Sequence, residues 1–168
     1  MHDTSREAFE DFVLARSRAL IRTAYLLTGD AHLAEDLVQT ALFKAARAWH
    51  RIEGDPEPYV RRILYHQNIS WWRRRKVAEA LTPAHDDTTG GSPGLDADLR
   101  LSLEAALAQL TRRQRSVLVL RYFEDLTEVQ AGQALGIGAG TVKSTAREAL
   151  ARLRALAPHL EELLEGAA

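Results

Sequence analysis

The sequence contains no cysteine, and among its 168 residues there are only five prolines and ten glycines. The lack of cysteine excludes disulfide bonds and thiolate metal sites, and it is typical of a reducing compartment. The longest uninterrupted aliphatic run is residues 117–120, so no segment is predicted to insert into a membrane. The first residues lack the apolar stretch of a secretion signal. Scarce proline and glycine, with abundant alanine, leucine, arginine and glutamate, predict an all-α protein. The lack of cysteine and of a membrane segment fits a cytoplasmic location.

Charge is segregated along the chain, although the formal net charge is only −1. Residues 59–76 contain six lysines and arginines and no acidic residue. Residues 111–154 contain eight basic and four acidic residues, and the intervening residues 77–110 contain one basic and six acidic residues. Two basic segments separated by an acidic one favour two contacts with a polyanion. Ordinary solvated helix faces would give the same counts.

Glycine and proline mark the predicted boundaries. Gly29 followed by Asp30 indicates a helix end and the N-cap of the next helix. Residues 78–97 are rich in glycine, serine, threonine and proline, which predicts a flexible linker between domains 1–77 and 98–168. Apolar spacing of three and four predicts three helices before the linker and four after it. Their expected positions are about 5–27, 31–49, 57–76, 98–109, 111–122, 127–135 and 139–153.

The last two predicted helices have the layout of a helix-turn-helix, with a turn at 136–138 that contains glycine. In that motif the second helix enters the major groove of DNA. Its first turns supply the hydrogen-bonding residues Thr141, Lys143, Ser144 and Arg147, while Arg112, Arg113 and Arg115 are candidates for phosphate contacts. An ordinary helical hairpin with a basic face is the alternative.

Segment 59–76 interleaves aromatic and basic residues, which suits unpaired nucleic acid. Trp71 and Trp72 point about 100° apart on a helix, so at least one of them is expected in the core. No nucleophile motif or phosphate-binding loop occurs, and His32 with Glu35 is the nearest approach to a metal pair. We therefore expect no catalytic residue, no metal and no cofactor.

Several segments together resemble a bacterial RNA polymerase sigma factor of the extracytoplasmic-function group of the sigma-70 family. Segments 110–128, 135–144 and 149–154 resemble region 4 of that family, and 34–39, 59–64 and 69–75 resemble region 2. The resemblance implies a three-helix region 2 domain and a four-helix region 4 domain. It also implies that the chain binds core RNA polymerase and recognises the −10 and −35 promoter elements.

The resemblance assigns roles to individual residues. Contacts to the clamp of the polymerase largest subunit are expected from Glu35, Asp36, Gln39 and Thr40. Contacts to the −10 element are expected from His50, Arg51, Arg62, His66, Ser70, Trp71, Arg73, Arg74 and Arg75. Contacts to the −35 element are expected from Arg112, Arg115, Thr141, Lys143, Ser144 and Arg147. The second domain would also rest on the polymerase flap, and an anti-sigma factor is the expected regulatory partner.

Four residues depart from the family pattern. His66 replaces the usual asparagine of the −10 helix, and Gly138 removes a side-chain cap from the recognition helix. Gly132 replaces alanine at about 1 kcal/mol of helix propensity. Glu148 replaces a basic residue and is expected to repel phosphate unless Lys143 or Arg152 pairs with it.

Two other functions fit less of the sequence, namely a stand-alone helix-turn-helix regulator and a helical protein-interaction adaptor.

Overall fold

A computed structural model describes the backbone of residues 3–79 and 97–159. Throughout these ranges the regular structure is helical, which confirms the predicted all-α class. The chain divides into two compact units, Met1–Thr89 and Gly90–Ala168. Most of the predicted linker, residues 80–96, lies outside the described residues, so its bounds and its flexibility stay a prediction.

The first unit contains three long helices. They are α1 (Asp3–Thr28), α2 (Ala31–Ala48) and α3 (Glu57–Glu79), with a short 3-10 turn at Trp49–Arg51. All three helices pack against one another around a core to which each contributes. Its fully or nearly fully buried residues are Leu20, Ala24, Ala34, Leu37, Val38, Ala41, Ala45, Val60 and Leu64. The buried positions of α2 recur at spacings of three and four, as expected for the helix predicted over 31–49.

The junction between α1 and α2 has the predicted local chemistry. Gly29 adopts a left-handed φ of 71°, and its N–H donates to the carbonyl of Tyr25 at 2.7 Å. The side chain of Asp30 accepts a hydrogen bond from the N–H of Leu33 at 3.0 Å, as an N-cap does. This tight reversal fixes where α2 begins and therefore which of its residues face the solvent.

A polar network joins α1 to α3, and sequence patterns gave no indication of it. Arg61 forms an ion pair with Glu57 at 2.9 Å and donates a hydrogen bond to the hydroxyl of Thr23 at 3.1 Å. Arg16 reaches the other oxygen of Glu57 at 3.1 Å. Thr23 has no solvent-exposed surface, so a strong donor for its hydroxyl oxygen matters to this unit.

The second unit contains α4 (Ala97–Ala108), α5 (Arg112–Leu118), α6 (Glu128–Leu135) and α7 (Ala139–Leu156). Helices α4, α5 and α6 each pack against α7. Capping boxes at Thr111 with Gln114 and at Thr127 with Gln130 fix the starts of α5 and α6. Thr111 and Thr127 are thus the caps at the starts of the helices predicted over 111–122 and 127–135.

The predicted helix from 111 to 122 does not continue as a regular α-helix. After α5 the chain forms a π-helical turn at Val119–Phe123, where the N–H of Glu124 donates to the carbonyl of Val119 at 2.9 Å. Widening of the turn changes the side-chain register, which 3.6-residue periodicity does not anticipate. Leu120 is fully buried, while Tyr122 is 61% exposed.

The turn between α6 and α7 depends on two glycines. Gly136 has a left-handed φ of 69° at the end of α6, as predicted for the sharp reversal. At Gly132 a Cβ atom would lie 2.6 Å from the carbonyl oxygen of Ile137. Gly132 therefore allows α6 and the turn to approach closely, which corrects the view that it only weakens α6. Gly138 provides no side-chain cap to α7, as predicted.

Candidate nucleic-acid and protein interfaces

The exposed face of α2 is acidic and polar. Glu35, Asp36 and Gln39 are exposed, and none of them forms an ion pair or a side-chain hydrogen bond with another described residue. Thr40, beside them, is half-buried. Because the packing stripe of α2 occupies other positions, these side chains are available to a partner.

Phe43 extends the same face and was not identified from the sequence. It is 65% exposed and follows Gln39 by four residues, so the two side chains are neighbours on one side of α2. A large exposed aromatic residue next to unpaired polar groups is typical of a protein-binding surface. Its unusual exposure, rather than any motif, is the feature that reveals it.

The exposed face of α3 is basic. Arg62, His66 and Arg73 follow one another at spacings of four and seven, so they share a side of the helix. All three are exposed, and so is Arg74, which donates a hydrogen bond to the hydroxyl of half-buried Ser70 at 3.3 Å. The side chain of Arg75 lies outside the described residues.

Trp71 has a different position from the cations. It follows the buried Val60 and Leu64 by eleven and seven residues, on the core side of α3, and it is half-buried. Trp72 is half-buried as well. Half-burial of both rings leaves the expected core packing of a tryptophan a prediction, and it makes Trp71, like Ser70, less accessible than the exposed cations of this helix.

A cavity of about 470 Å³ lies where the chain passes from α2 to α3. It is lined by Ala48, Arg51, Ile52, Glu53, Asp55, Pro58 and Tyr59. Arg51 and the neighbouring His50 are exposed on the 3-10 turn, and Tyr59 is 39% exposed. Asp55 shapes the loop by accepting a hydrogen bond from the N–H of Glu57 at 3.0 Å. The predicted contacts His50 and Arg51 therefore adjoin or line a concave surface.

The solvent face of α7 brings together the predicted recognition residues. Thr141, Lys143, Ser144 and Arg147 are all exposed, and the packing residues Val142, Thr145, Ala146 and Ala149 are all buried. The hydroxyl of Ser144 donates to the carbonyl of Thr141 at 3.1 Å, which leaves its oxygen lone pairs available to a donor. The helix thus separates a packing stripe from a hydrogen-bonding surface.

The arginines of α5 differ in exposure. Arg113 is exposed and Arg112 is half-buried, but Arg115 is only 8% exposed. Such burial leaves little of Arg115 for phosphate and does not support that expected contact. Periodicity could not separate these residues, because burial of Arg115 depends on the helices around it.

An exposed apolar group in the second unit was also missed by the sequence analysis. Tyr122, Phe123 and Val129 are 61%, 48% and 57% exposed, respectively. Tyr122 and Phe123 belong to the π-helical turn, and the guanidinium of Arg121 lies 6.0 Å from the centre of the Tyr122 ring. Exposed aromatic residues in a short turn form a candidate protein-contact surface.

Comparison with known proteins agrees with both units. Residues 12–77 match the family model described as Sigma-70 region 2, and residues 106–155 match Sigma-70, region 4. RNA polymerase sigma-E factor of Streptomyces coelicolor is 39% identical over 87% of this chain and 84% of its own length. ECF RNA polymerase sigma factor SigL of Mycobacterium tuberculosis is 35% identical over 80% of each chain.

The fold is shared with solved structures. The sigma factor RpoE of Bartonella quintana, in complex with the anti-sigma factor NepR, superimposes with a TM-score of 0.73 at 25% identity. That match covers 89% of this chain and 96% of RpoE. The chain therefore belongs to the sigma-70 family of RNA polymerase sigma factors, in its extracytoplasmic-function group.

Members of this family bind core RNA polymerase and direct it to promoters, and this is the function of the chain. Sigma factors are transcription initiation factors, so the two alternative functions, a stand-alone regulator and a protein-interaction adaptor, are not supported.

Among the described helices, none has the length and hydropathy needed to cross a bilayer. Within the same residues, no three histidine or acidic side chains are grouped as a metal site would require.

Proposed function

We propose that three exposed helix faces divide the work of promoter recognition. The face of α2 binds the clamp of the polymerase largest subunit, α3 with its preceding loop binds the −10 element, and α7 binds the −35 element. The observation on which this rests is that each face exposes polar or charged side chains that lie off the packing stripe of its helix. The chain performs no catalysis itself and acts in the cytoplasm, where the polymerase is.

The proposed clamp contact combines charge with an apolar anchor. Glu35 and Asp36 offer two carboxylates to basic groups on the polymerase, and Gln39 offers both a donor and an acceptor. Phe43 supplies apolar area on the same side of α2. Aromatic residues surrounded by polar ones are frequent energetic centres of protein interfaces.

The proposed −10 contact suits a single strand better than a duplex. Arg62, Arg73 and Arg74 neutralise backbone charge along α3, while the cavity beside α3 accepts an unstacked base. A volume of about 470 Å³ is ample for one nucleobase, and exposed Tyr59 offers a ring for stacking. Binding an extruded base in this way favours strand separation, since only the melted promoter can supply one.

The proposed −35 contact uses α7 as a recognition helix. Thr141, Ser144 and Arg147 lie within its first turns, where such helices meet base edges in the major groove. In this assignment Lys143 and the arginines Arg112 and Arg113 of α5 contact phosphates. The apolar group of Tyr122, Phe123 and Val129 is the proposed contact with the polymerase flap.

We also propose that an anti-sigma factor regulates the chain. The structural relative RpoE is solved in complex with the anti-sigma factor NepR, and the shared fold supports a partner of this kind. An anti-sigma factor that covered the α2 face or the apolar group of the second unit would block polymerase binding. Competition between it and core polymerase for the chain is the corresponding measurement.

Promoter transcription with core RNA polymerase tests the division of labour. The chain should support initiation on a promoter with both elements, and scrambling either element should reduce it. Variants on α3 should lose discrimination against a scrambled −10 element, and variants on α7 against a scrambled −35 element. If an α7 variant changes only the response to the −10 element, the proposed assignment is wrong.

A further inference from the structure

The solvent face of α7 contains a carboxylate among cations. Lys143, Arg147, Arg152 and Arg154 are exposed, and Glu148, which lies between them in the sequence, is exposed as well. Glu148 forms no ion pair and no side-chain hydrogen bond with another described residue, although Arg152 follows it by one turn. The pairing with Lys143 or Arg152 that would neutralise it on the surface is therefore absent from the described structure.

Glu148 has no evident role in folding. It lies outside the packing stripe of Val142, Ala146 and Ala149, which are buried against the rest of the second unit. It is also the tenth residue of α7, beyond the first turn where a carboxylate stabilises a helix through its dipole. We therefore look for a role of Glu148 in DNA binding and not in the stability of the fold.

The position of Glu148 continues the row of proposed recognition residues. It follows Ser144 by four residues and Thr141 by seven, so the three side chains differ by no more than about 60° around the helix axis. Ser144 and Glu148 are separated by about 6 Å along the axis, which is somewhat less than two base-pair steps. A helix that brings Ser144 to one base edge thus brings Glu148 to the edge of a nearby base pair.

Among major-groove edges, a carboxylate matches one base best. Cytosine presents the N4 amino donor, whereas guanine presents two acceptors that repel a carboxylate, and adenine places an acceptor beside its amino group. We propose that Glu148 is a specificity-determining residue that selects cytosine at one position of the −35 element. This inference depends on the proposed role of α7, and it extends that role to a residue whose charge otherwise only opposes DNA.

A library of promoters with a randomised −35 element and a fixed −10 element tests the proposal, using the chain assembled with core RNA polymerase. Wild type should enrich cytosine over guanine at one position by about 5- to 150-fold. Glu148→Ala should abolish that preference, and Glu148→Arg should convert it to guanine, which arginine binds through two acceptors. Because Glu148 is exposed and unpaired, both variants should fold, and thermal unfolding checks this.

Two matched variants separate the possible outcomes. Glu7→Gln, on the exposed side of α1, removes one negative charge elsewhere and should leave every base preference unchanged. Ser144→Ala should alter a different position of the element and keep the cytosine preference. If Glu148→Ala binds all −35 sequences more tightly with unchanged preferences, Glu148 acts only by repulsion and the inference is overturned. If wild type shows no −35 preference at all, the proposed role of α7 is wrong as well.

Discussion

Helices α3 and α7 both expose basic surfaces, but they differ in how they are held and in what they present. Helix α3 is joined to α1 by the ion pair between Glu57 and Arg16 and by the hydrogen bond that Arg61 donates to Thr23. Helix α7 is held by an apolar stripe and by the close approach that Gly132 permits. The exposed face of α3 presents mainly cations, which suit the phosphate backbone of DNA. The exposed face of α7 presents hydroxyls, cations and a carboxylate. Bulk charge suits sequence-independent binding, and mixed polarity suits base selection.

Replacing Asp36 and Gln39 together by alanine tests whether the α2 face binds core polymerase, on which promoter binding by α3 and α7 depends. We expect core polymerase affinity to fall roughly 100-fold or more, because two central interface contacts are removed at once. Both residues are exposed, so the unfolding free energy should stay nearly constant. Fluorescence titration with core enzyme measures the first quantity and urea denaturation the second. Unfolding of the variant would show that these residues are structural and would refute the assignment.

Arg147→Ala sharpens the comparison on the α7 side. We expect a loss of about 1–3 kcal/mol in holoenzyme binding and a relaxed preference at one or two −35 positions. Binding to promoters with intact and scrambled −35 elements measures the effect. If binding falls equally on both promoters, Arg147 does not recognise a base. In that case α7, like α3, would use its cations for the phosphate backbone.

Glu57→Ala breaks the support of α3. Removing the carboxylate leaves half-buried Arg61 without that ion-pair partner, so the first unit should lose about 1–3 kcal/mol of unfolding free energy. Arg16 adds little to this figure because its side chain is 52% exposed and therefore screened by solvent. All three tryptophans, Trp49, Trp71 and Trp72, belong to this unit, so their fluorescence monitors its unfolding.

Glu10→Ala is the matched control for that variant. Glu10 forms an ion pair with Arg6 at the same spacing of four residues, but both side chains are more than half exposed. The tryptophan unfolding midpoint should hardly move. An equal shift for both variants would mean that the α1–α3 network adds nothing beyond surface charge.

Gly132→Ala breaks the corresponding support of α7. Alanine gains about 1 kcal/mol of helix propensity, but its Cβ would lie 2.6 Å from the carbonyl oxygen of Ile137. Displacing backbone costs about 1–3 kcal/mol, so a net loss of about 1 kcal/mol is expected in the second unit. Circular dichroism should show that loss while tryptophan fluorescence keeps its midpoint. Gly140→Ala, with open space around its Cβ, should be neutral or stabilising.

Local chemistry explains which features the sequence could predict. Asp30, Thr111 and Thr127 mark helix starts because a cap acts within three residues of itself. The exposed face of α7 follows from 3.6-residue periodicity alone. In contrast, Thr23 and Arg61 are 38 residues apart, and the burial of Arg115 depends on packing between helices. The exposure of Phe43 and of the π-helical turn likewise requires the tertiary structure.

Arg74→Ala gives the smallest expected effect and tests the α3 side directly. Arg74 is exposed, and its hydrogen bond to Ser70 ends within α3, so no long-range packing is lost. Removing one phosphate contact should weaken all promoters to a similar extent and lower the salt slope of log K by about 0.7–0.9. Holoenzyme binding across a salt series on several −10 sequences measures this slope. Arg18→Ala, which removes an exposed cation from α1, should leave the slope unchanged. If Arg74→Ala instead changes the ranking of −10 sequences, α3 selects bases through this arginine, and the contrast with α7 no longer holds.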